Sequence, residues 1–158
     1  MKTLVTRFLA TSILFTWLCS AQAETAVGEG MLQVNSQHSV DQTLARLTDA
    51  LNAKGMTIFA TVDHSAGAQK VGVALPATKV LIFGNPKIGS PLMMCAPSIA
   101  IDLPQKMLIW QAEDGVKLAY NDPLYLATRH GIANDDPCFP ILNKVSQALA
   151  NFAKVASQ

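Results

Sequence analysis

Two segments of the chain repeat apolar residues at the spacing of an amphipathic helix. In the first, apolar residues recur at intervals of three and four positions, at Val40, Leu44, Leu47 and Leu51. A capping box from Ser39 to Gln42 precedes this stripe and Gly55 follows it, which predicts a helix between them. The second segment, residues 140–156, predicts a closing helix whose apolar face holds Ile141 or Leu142, Val145, Leu149 and Phe152.

Shorter apolar and β-branched runs predict five strands, at residues 30–34, 56–62, 80–83, 107–110 and 116–121. A Glu-Asp-Gly turn at residues 113–115 joins the last two strands as a hairpin. In the second run, regular alternation places three side chains on one face of the strand, namely Ile58, Ala60 and Val62. The hairpin predicts a sheet that is rich in antiparallel pairs.

Three further segments carry turn or short-helix signals. Residues 63–71 predict a polar loop or a short helical turn, because Asp63 and Ser65 can accept hydrogen bonds from free backbone N–H groups. Residues 90–97 fit a short helix with Pro91 in its first turn, and a cap at residues 121–123 opens a short helix that reaches His130. The elements together predict an α+β fold with two long helices on one sheet face.

Composition supports one domain, residues 24–158. The chain has 158 residues, 50% of them hydrophobic, which is enough to bury a core. Its net charge is +1, and loss of Lys2 and Arg7 with a cleaved leader leaves 10 basic residues against 11 acidic ones. Charges of both signs are scattered along the chain, so we expect no nucleic-acid partner and no attraction to anionic lipid.

The N-terminus has the layout of a secretory signal peptide. Lys2 and Arg7 supply the charged region, residues 8–18 are apolar, and Ala21-Gln22-Ala23 is a small-residue cleavage site. The apolar run is shorter than the ~20 residues that a membrane helix needs. We therefore predict a signal peptide at residues 1–23, cleavage after Ala23, a periplasmic or secreted product, and no membrane association after cleavage.

Several motifs in a fixed order resemble the domain of unknown function 302 family over residues 36–152. The motifs are Val62-Asp63-His64 with Ala68, Leu75-Pro76-Ala77-Thr78, Leu81-Ile82-Phe83-Gly84-Asn85-Pro86, Ala100-Ile101-Asp102-Leu103-Pro104, and Tyr120-Asn121-Asp122-Pro123 with Arg129-His130. The resemblance implies a β-α-β(4)-α unit of the TATA-box-binding-protein type, often able to form a homodimer. It implies neither DNA binding nor a cofactor, and a family without an established activity supplies no catalytic residues.

Seven polar residues of these motifs fall at predicted strand ends or in adjoining loops: His64, Asn85, Asp102, Tyr120, Asp122, Arg129 and His130. With Arg129 as an anchor and His64 as a donor or proton acceptor, they predict a site for a small polar or anionic ligand, or for a partner protein. They are equally consistent with a structural network in which Asp102 pairs with Arg129 and Asn85 bonds loop backbone. A third interpretation is a purely structural or dimerisation module.

An enzymatic alternative makes His64 a general acid or base that Asp102 or another carboxylate orients. Covalent acyl transfer has no motif support, because no nucleophile elbow surrounds Ser65, Ser90 or Ser98. We expect no metal site, since His64 and His130 are not at metal-binding spacing and the chain has no Cys-x-x-Cys.

The two cysteines of the mature chain are Cys95 and Cys138. Their even number and the predicted export to an oxidising compartment predict one disulfide.

Overall fold

The computed structural model describes residues 25–26 and 28–158, so the predicted signal peptide and its cleavage point lie outside the described residues. Within this described part of the chain, six antiparallel strands form one sheet in the order β1-β2-β6-β5-β4-β3. The strands are β1 Thr25–Ala26, β2 Met31–Ser36, β3 Thr57–Asp63, β4 Thr78–Gly84, β5 Gln105–Ala112 and β6 Gly115–Asn121. From β2 onward, the strands and the two long helices follow the order β-α-β(4)-α. The predicted α+β class is therefore confirmed.

The same described residues also form five α-helices and one 3₁₀ helix. They are α1 Val40–Ala53, α2 His64–Lys70, α3 Pro86–Cys95, the 3₁₀ helix Pro97–Ile101, α4 Pro123–Arg129 and α5 Phe139–Ser157. Helices α4 and α5 follow the last strand. None of the helices within the described residues is long and apolar enough to cross a membrane.

Helix α1 forms where its local signals predicted it. The Ser39 hydroxyl accepts a hydrogen bond from the Gln42 amide at 3.3 Å, and the Gln42 side chain accepts one from the Ser39 amide at 3.2 Å. Beyond the C-terminal end, Gly55 has a φ of 66°, a conformation that glycine adopts without steric cost. The buried stripe faces the sheet and includes Leu47 and Leu51, both fully buried.

The main core lies between one face of the sheet and the two long helices, α1 and α5. Its buried residues are Val34, Val40, Leu47, Leu51, Leu81, Phe83, Met107, Ile109, Val116, Leu118, Tyr120, Leu149, Phe152, Ala153 and Ala156. Phe83 from β4 meets Phe152 from α5 edge to face, with ring centroids 6.4 Å apart. Each fully buried large side chain of this kind contributes about 2–3 kcal/mol by leaving water.

A smaller second cluster lies under the short helices. Its buried residues are Leu92, Ala96, Ile99, Ala127, Ile132, Cys138 and Leu142. They come from α3, the 3₁₀ helix, α4, the connection after α4 and the start of α5. The second cluster thus holds together segments that do not belong to the sheet.

Two local predictions were wrong. Helix α3 begins at Pro86, ahead of the predicted start, because the Asn85 side chain caps it by accepting from the Lys87 amide at 3.0 Å and Pro86 suits the first helical position. Pro91 therefore lies inside the helix. In β3, the register shifts between Ile58 and Ala60, so regular alternation fails there.

Candidate functional site

Asp102 and His130 form the centre of a polar cluster beside the second cluster of buried residues. The Nε2 atom of His130 lies 2.6 Å from Oδ2 of Asp102. Nη1 of Arg129 donates to the other carboxylate oxygen of Asp102 at 3.4 Å. The side chains of His130 and Asp102 are only 5% and 11% exposed, whereas that of Arg129 is 51% exposed. The carboxylate is therefore held on both oxygens, one inside the protein and one towards the surface.

Helix ends fix these side chains. Asp102 is the C-cap residue of the 3₁₀ helix, and His130 is the C-cap residue of α4. Helix α4 begins where Asp122 accepts a hydrogen bond from the Leu124 amide at 2.9 Å. The C-terminal end of α4 then places Arg129 and His130 next to the Asp102 carboxylate. Asp122 thus positions the cluster without belonging to it.

Ser98 extends the cluster, although its sequence context carried no nucleophile motif. Its hydroxyl lies 2.9 Å from Nδ1 of His130, the ring nitrogen that does not face Asp102. Ser98 is exposed, at the second position of the 3₁₀ helix. The only sequence signal was the short spacing from Ser98 to Asp102. This spacing matters because the C-terminal end of α4 places the His130 ring between these two side chains.

The predicted site residues do not all converge. The structure brings together Asp102, Arg129 and His130. Asn85 caps α3, and Tyr120 is buried in the main core. His64 is exposed at the start of α2, next to the edge strand β3, and its side chain makes no hydrogen bond or ion pair with any described residue. Asp102 contacts His130 and not His64, so the hypothesis that Asp102 orients His64 does not fit the structure.

One contact of the structural alternative is present as expected and the other differs. Asp102 pairs with Arg129, whereas the Asn85 side chain bonds backbone in the first turn of helix α3 and not in a loop. The Asp102–Arg129 pair fastens irregular connections, as that alternative requires.

The described residues also form an apolar groove of about 590 Å³. It lies between α5, α3 and the ends of β3 and β4. Apolar side chains provide most of its wall, among them Met56, Phe59, Ile88, Leu92, Met93, Leu103, Ile141, Val145, Leu149 and Phe152. A cavity of this size and lining is typical of a small-molecule site.

The bulge in β3 helps to form this groove. Phe59 is the residue at which the register of β3 against β4 shifts, and it lines the groove while remaining 54% exposed. Its phenyl ring therefore adds exposed apolar surface to the wall of the groove. Sequence reasoning missed the groove, because its walls come from helices and strand ends far apart in the chain.

Two lysines give the groove a positive edge. Lys54, at the end of α1, and Lys144, on α5, both line it and are exposed. Among the described residues of the lining there is no acidic side chain, and the other polar groups are amides and one hydroxyl, from Asn85, Ser90, Gln105 and Asn151. The groove therefore combines an apolar body with a cationic rim.

The sulfur atoms of Cys95 and Cys138 lie at disulfide-bonding distance, as predicted. The bridge joins the end of α3 to the start of α5 beside the second cluster. A carboxylate oxygen of Asp136 accepts a hydrogen bond from the Cys138 amide at 2.7 Å. One ligand atom from each of these three residues lies within 4.8 Å of the others, so a metal ion could be held there only by the reduced cysteines.

A different carboxylate, Asp63, has a strongly shifted pKa. Hydrogen bonds from the Ser65 hydroxyl, at 2.6 Å, and the Ala66 amide, at 2.8 Å, together with Lys79, lower the pKa of Asp63 to about 2. These donors stabilise the ionised form. Asp63 is the N-cap of α2, so its pKa reports helix capping and not a catalytic cleft.

The sheet, the two long helices and the groove define a small α+β domain with a ligand-sized cavity. The family model described as "Domain of unknown function DUF302" matches residues 32–154, and the chain belongs to this family. A solved structure titled "Crystal structure of uncharacterized conserved protein DUF302 from Bacillus stearothermophilus" has the same fold. It has a TM-score of 0.70, 19% identity, and coverage of 81% of this chain and 98% of that chain.

Curated relatives carry a name of a different kind. A segment of 112 residues is 42% identical to "Fluoride-specific ion channel FluC 1" of Brucella suis biovar 1 (strain 1330), over 69% of this chain and 44% of that protein. The protein of the same name from Brucella abortus biovar 1 (strain 9-941) is also 42% identical, with 42% of its length covered. The chain thus matches less than half of the length of these relatives.

Proposed function

We propose that the chain is a binding module that holds a small amphipathic ligand in the apolar groove, with the anionic end of the ligand at Lys54 and Lys144. The observation that carries this proposal is the groove of about 590 Å³ with its apolar wall. Together with the predicted signal peptide, the proposal describes an exported binding module.

The shape and lining of the groove favour an apolar ligand body. Its volume falls within the range of about 300–1,000 Å³ that is usual for small-molecule sites. Burial of an apolar ligand there would also cover Phe59 and Met93, which are 54% and 37% exposed. Removing this surface from water stabilises the complex by about 25 cal/mol for each square ångström.

The charge of the rim favours an anionic end group. Lys54 and Lys144 are flexible cations, and no acidic side chain in the described lining competes for them. This expectation keeps the anionic ligand predicted from the sequence but moves its site, because the anchor becomes a lysine pair instead of Arg129.

A fluorescent probe tests the proposal directly. 8-Anilinonaphthalene-1-sulfonate has an apolar ring system and one sulfonate, so its fluorescence should rise saturably with one probe bound per chain. Decanoate should displace the probe, and decanol, which has the same chain length without the charge, should do so less well. Equal displacement by both compounds would contradict the role of the rim, and no saturable binding would contradict the proposal itself.

Two variants on one helix localise the probe. Ala148→Trp places an indole in the groove, since Ala148 lines it, and should weaken probe binding about tenfold or more. Gln147→Trp adds the same ring at an exposed neighbouring position outside the lining and should leave binding unchanged. Equal effects of the two variants would place the probe elsewhere.

A second pair of variants tests the cationic rim. Lys144→Glu should weaken decanoate binding by about threefold or more, because an exposed ion pair contributes up to about 1 kcal/mol. Lys154→Glu makes the same charge change on α5 outside the lining and serves as the control. Decanol binding should change little in either variant.

A second candidate function follows from the curated relatives. In this candidate the chain binds a partner protein, and the partner is a fluoride-specific ion channel. The reason is that 112 residues of this chain match a segment of proteins with that name, in which the matched segment and the rest of the protein are one polypeptide. Co-expression with a tagged fluoride channel tests this candidate. Retention of this chain on the channel after detergent extraction, but not on an unrelated membrane protein, would support it.

A further inference from the structure

Ser98, His130 and Asp102 form a continuous chain of hydrogen bonds. Nδ1 of His130 lies 2.9 Å from the Ser98 hydroxyl, and its Nε2 lies 2.6 Å from Asp102. A hydroxyl within hydrogen-bonding reach of a base, which a third group orients, is the geometric signature of an activated nucleophile. This arrangement lies outside the groove lining, so it is independent of the proposed binding function.

The hydrogen-bond partners define the direction of proton movement. A carboxylate can only accept, so the bond from His130 to Asp102 requires the ring proton on Nε2. The neutral ring then presents the lone pair of Nδ1 to the Ser98 hydroxyl, which donates. Either ring nitrogen can serve as the base, provided that the opposite N–H is held.

The cluster also has the exposure that such a role requires. The His130 side chain is 5% exposed, and its Nε2 contacts one carboxylate oxygen of Asp102. Arg129 donates to the other oxygen of that carboxylate. Ser98 is exposed to solvent on the Nδ1 side of the His130 ring. The base is therefore fixed and sheltered, while the hydroxyl is open to an incoming molecule.

We propose that Ser98 is a nucleophile toward carboxylic esters with a short apolar acyl group, with His130 as its general base and Asp102 as a positioning residue. The apolar preference comes from Ile101, which is 76% exposed. Residues three apart in a 3₁₀ helix lie on the same side, so Ile101 stands beside Ser98.

The acyl-transfer step balances without a further reagent. The Ser98 Oγ forms a bond to the ester carbonyl carbon while its proton moves to Nδ1 of His130. The bond from that carbon to the alcohol oxygen then breaks, and the departing alcohol takes the proton from His130. Water reverses the same proton movements to release the carboxylic acid and restore the Ser98 hydroxyl.

A fluorophosphonate with a short alkyl chain tests the nucleophile. Ser98 should form a P–O bond with loss of fluoride, seen as a mass increase on the peptide that contains Ser98. The labelling rate should fall at acid pH, as the ring nitrogen that accepts the proton becomes protonated. Hydrolysis of 4-nitrophenyl butanoate should show the same pH dependence and exceed that of the acetate.

Matched variants separate this chemistry from general reactivity. Ser98→Ala should abolish labelling, and His130→Gln should slow it at least ~100-fold and remove its pH dependence. Asp102→Asn should also slow labelling and alter its pH profile. Ser65→Ala is the control, because Ser65 bonds directly to a carboxylate with no histidine between them, and it should label as wild type does.

Several results would overturn the proposal. They are an unlabelled wild-type protein, label that persists in Ser98→Ala, or equal labelling of Ser65. Circular dichroism checks that each variant is folded. Should His130→Gln fail to fold, the wild-type pH profile decides, and a labelling rate that does not fall at acid pH contradicts the role of the imidazole.

Discussion

The main core and the second cluster are stabilised in different ways. The main core packs one sheet face against α1 and α5 through a large set of apolar side chains. The second cluster has seven buried residues, and the Cys95–Cys138 pair and the Asp102–His130 hydrogen bond lie at its border. A small cluster buries too little apolar surface to hold several short helices alone, so covalent and polar contacts supplement it. The Asp102–His130 hydrogen bond also places an imidazole next to the exposed hydroxyl of Ser98.

The largest expected difference comes from removing the cysteine bridge. Cys95→Ser opens a loop with a sequence separation of 43 residues and should lower the free energy of unfolding by about 4 kcal/mol in the chain-entropy model. Urea denaturation measures this change. Reductant should lower the stability of the wild type by a similar amount and leave the variant unchanged; two free thiols in the unreduced wild type would show that no bridge forms.

Matched leucine truncations compare the apolar packing of the two regions. Leu47→Ala, in the main core, should cost about 3 kcal/mol, because the surrounding sheet and helices cannot close the cavity. Leu92→Ala, in the second cluster, should cost about 2 kcal/mol, since Leu92 also lines the groove and its loss enlarges an existing space. Urea midpoints and slopes decide the order, and a greater loss for Leu92→Ala would reverse our view of the two regions.

Matched carboxylate truncations compare their polar contacts. Asp102→Ala leaves the buried His130 ring without its acceptor and should cost about 2 kcal/mol. Asp41→Ala removes an ion pair to Lys79 from the surface of α1, where the Asp41 side chain is 80% exposed, and should cost about 0.5 kcal/mol. Thermal unfolding at one pH compares the two, and equal losses would contradict the importance of burial.

The smallest expected effect is the pH dependence that Asp63 contributes. Its pKa is lowered from 3.8 to about 2, so its stabilising contribution is present above pH 3.8 and disappears as the pH falls through about 2. Asp63→Asn lacks this contribution at every pH. The stability difference between wild type and variant should therefore shrink across that interval, and a difference that grows on acidification would contradict the assignment.

Sequence reasoning succeeded where structure depends on neighbouring residues. The capping box at Ser39, the apolar stripe of α1 and the turn between β5 and β6 are local features, and each formed as predicted. The family motifs then correctly indicated the fold. The disulfide-distance pair was predicted from an even cysteine count and from the predicted export, which itself stays a prediction.

It failed where distant segments meet. The groove combines α3, α5 and strand ends, and no periodic pattern encodes the space between them. The contact between Ser98 and His130 depends on how α4 docks beside the 3₁₀ helix, over a separation of 32 residues. Likewise, the sequence placed Asn85 in a loop, and only the fold shows that it caps α3 and begins this helix ahead of Pro91.

The register shift at Phe59 has a consequence for how the domain can diversify. Because the shift is confined to the edge strand β3, the pairings of β4 with β5 and of β5 with β6 do not depend on it. Substitutions at this one position can reshape the mouth of the groove while leaving the central strands undisturbed. A different side chain at position 59 should thus alter the width of the groove while the central strands keep their pairing.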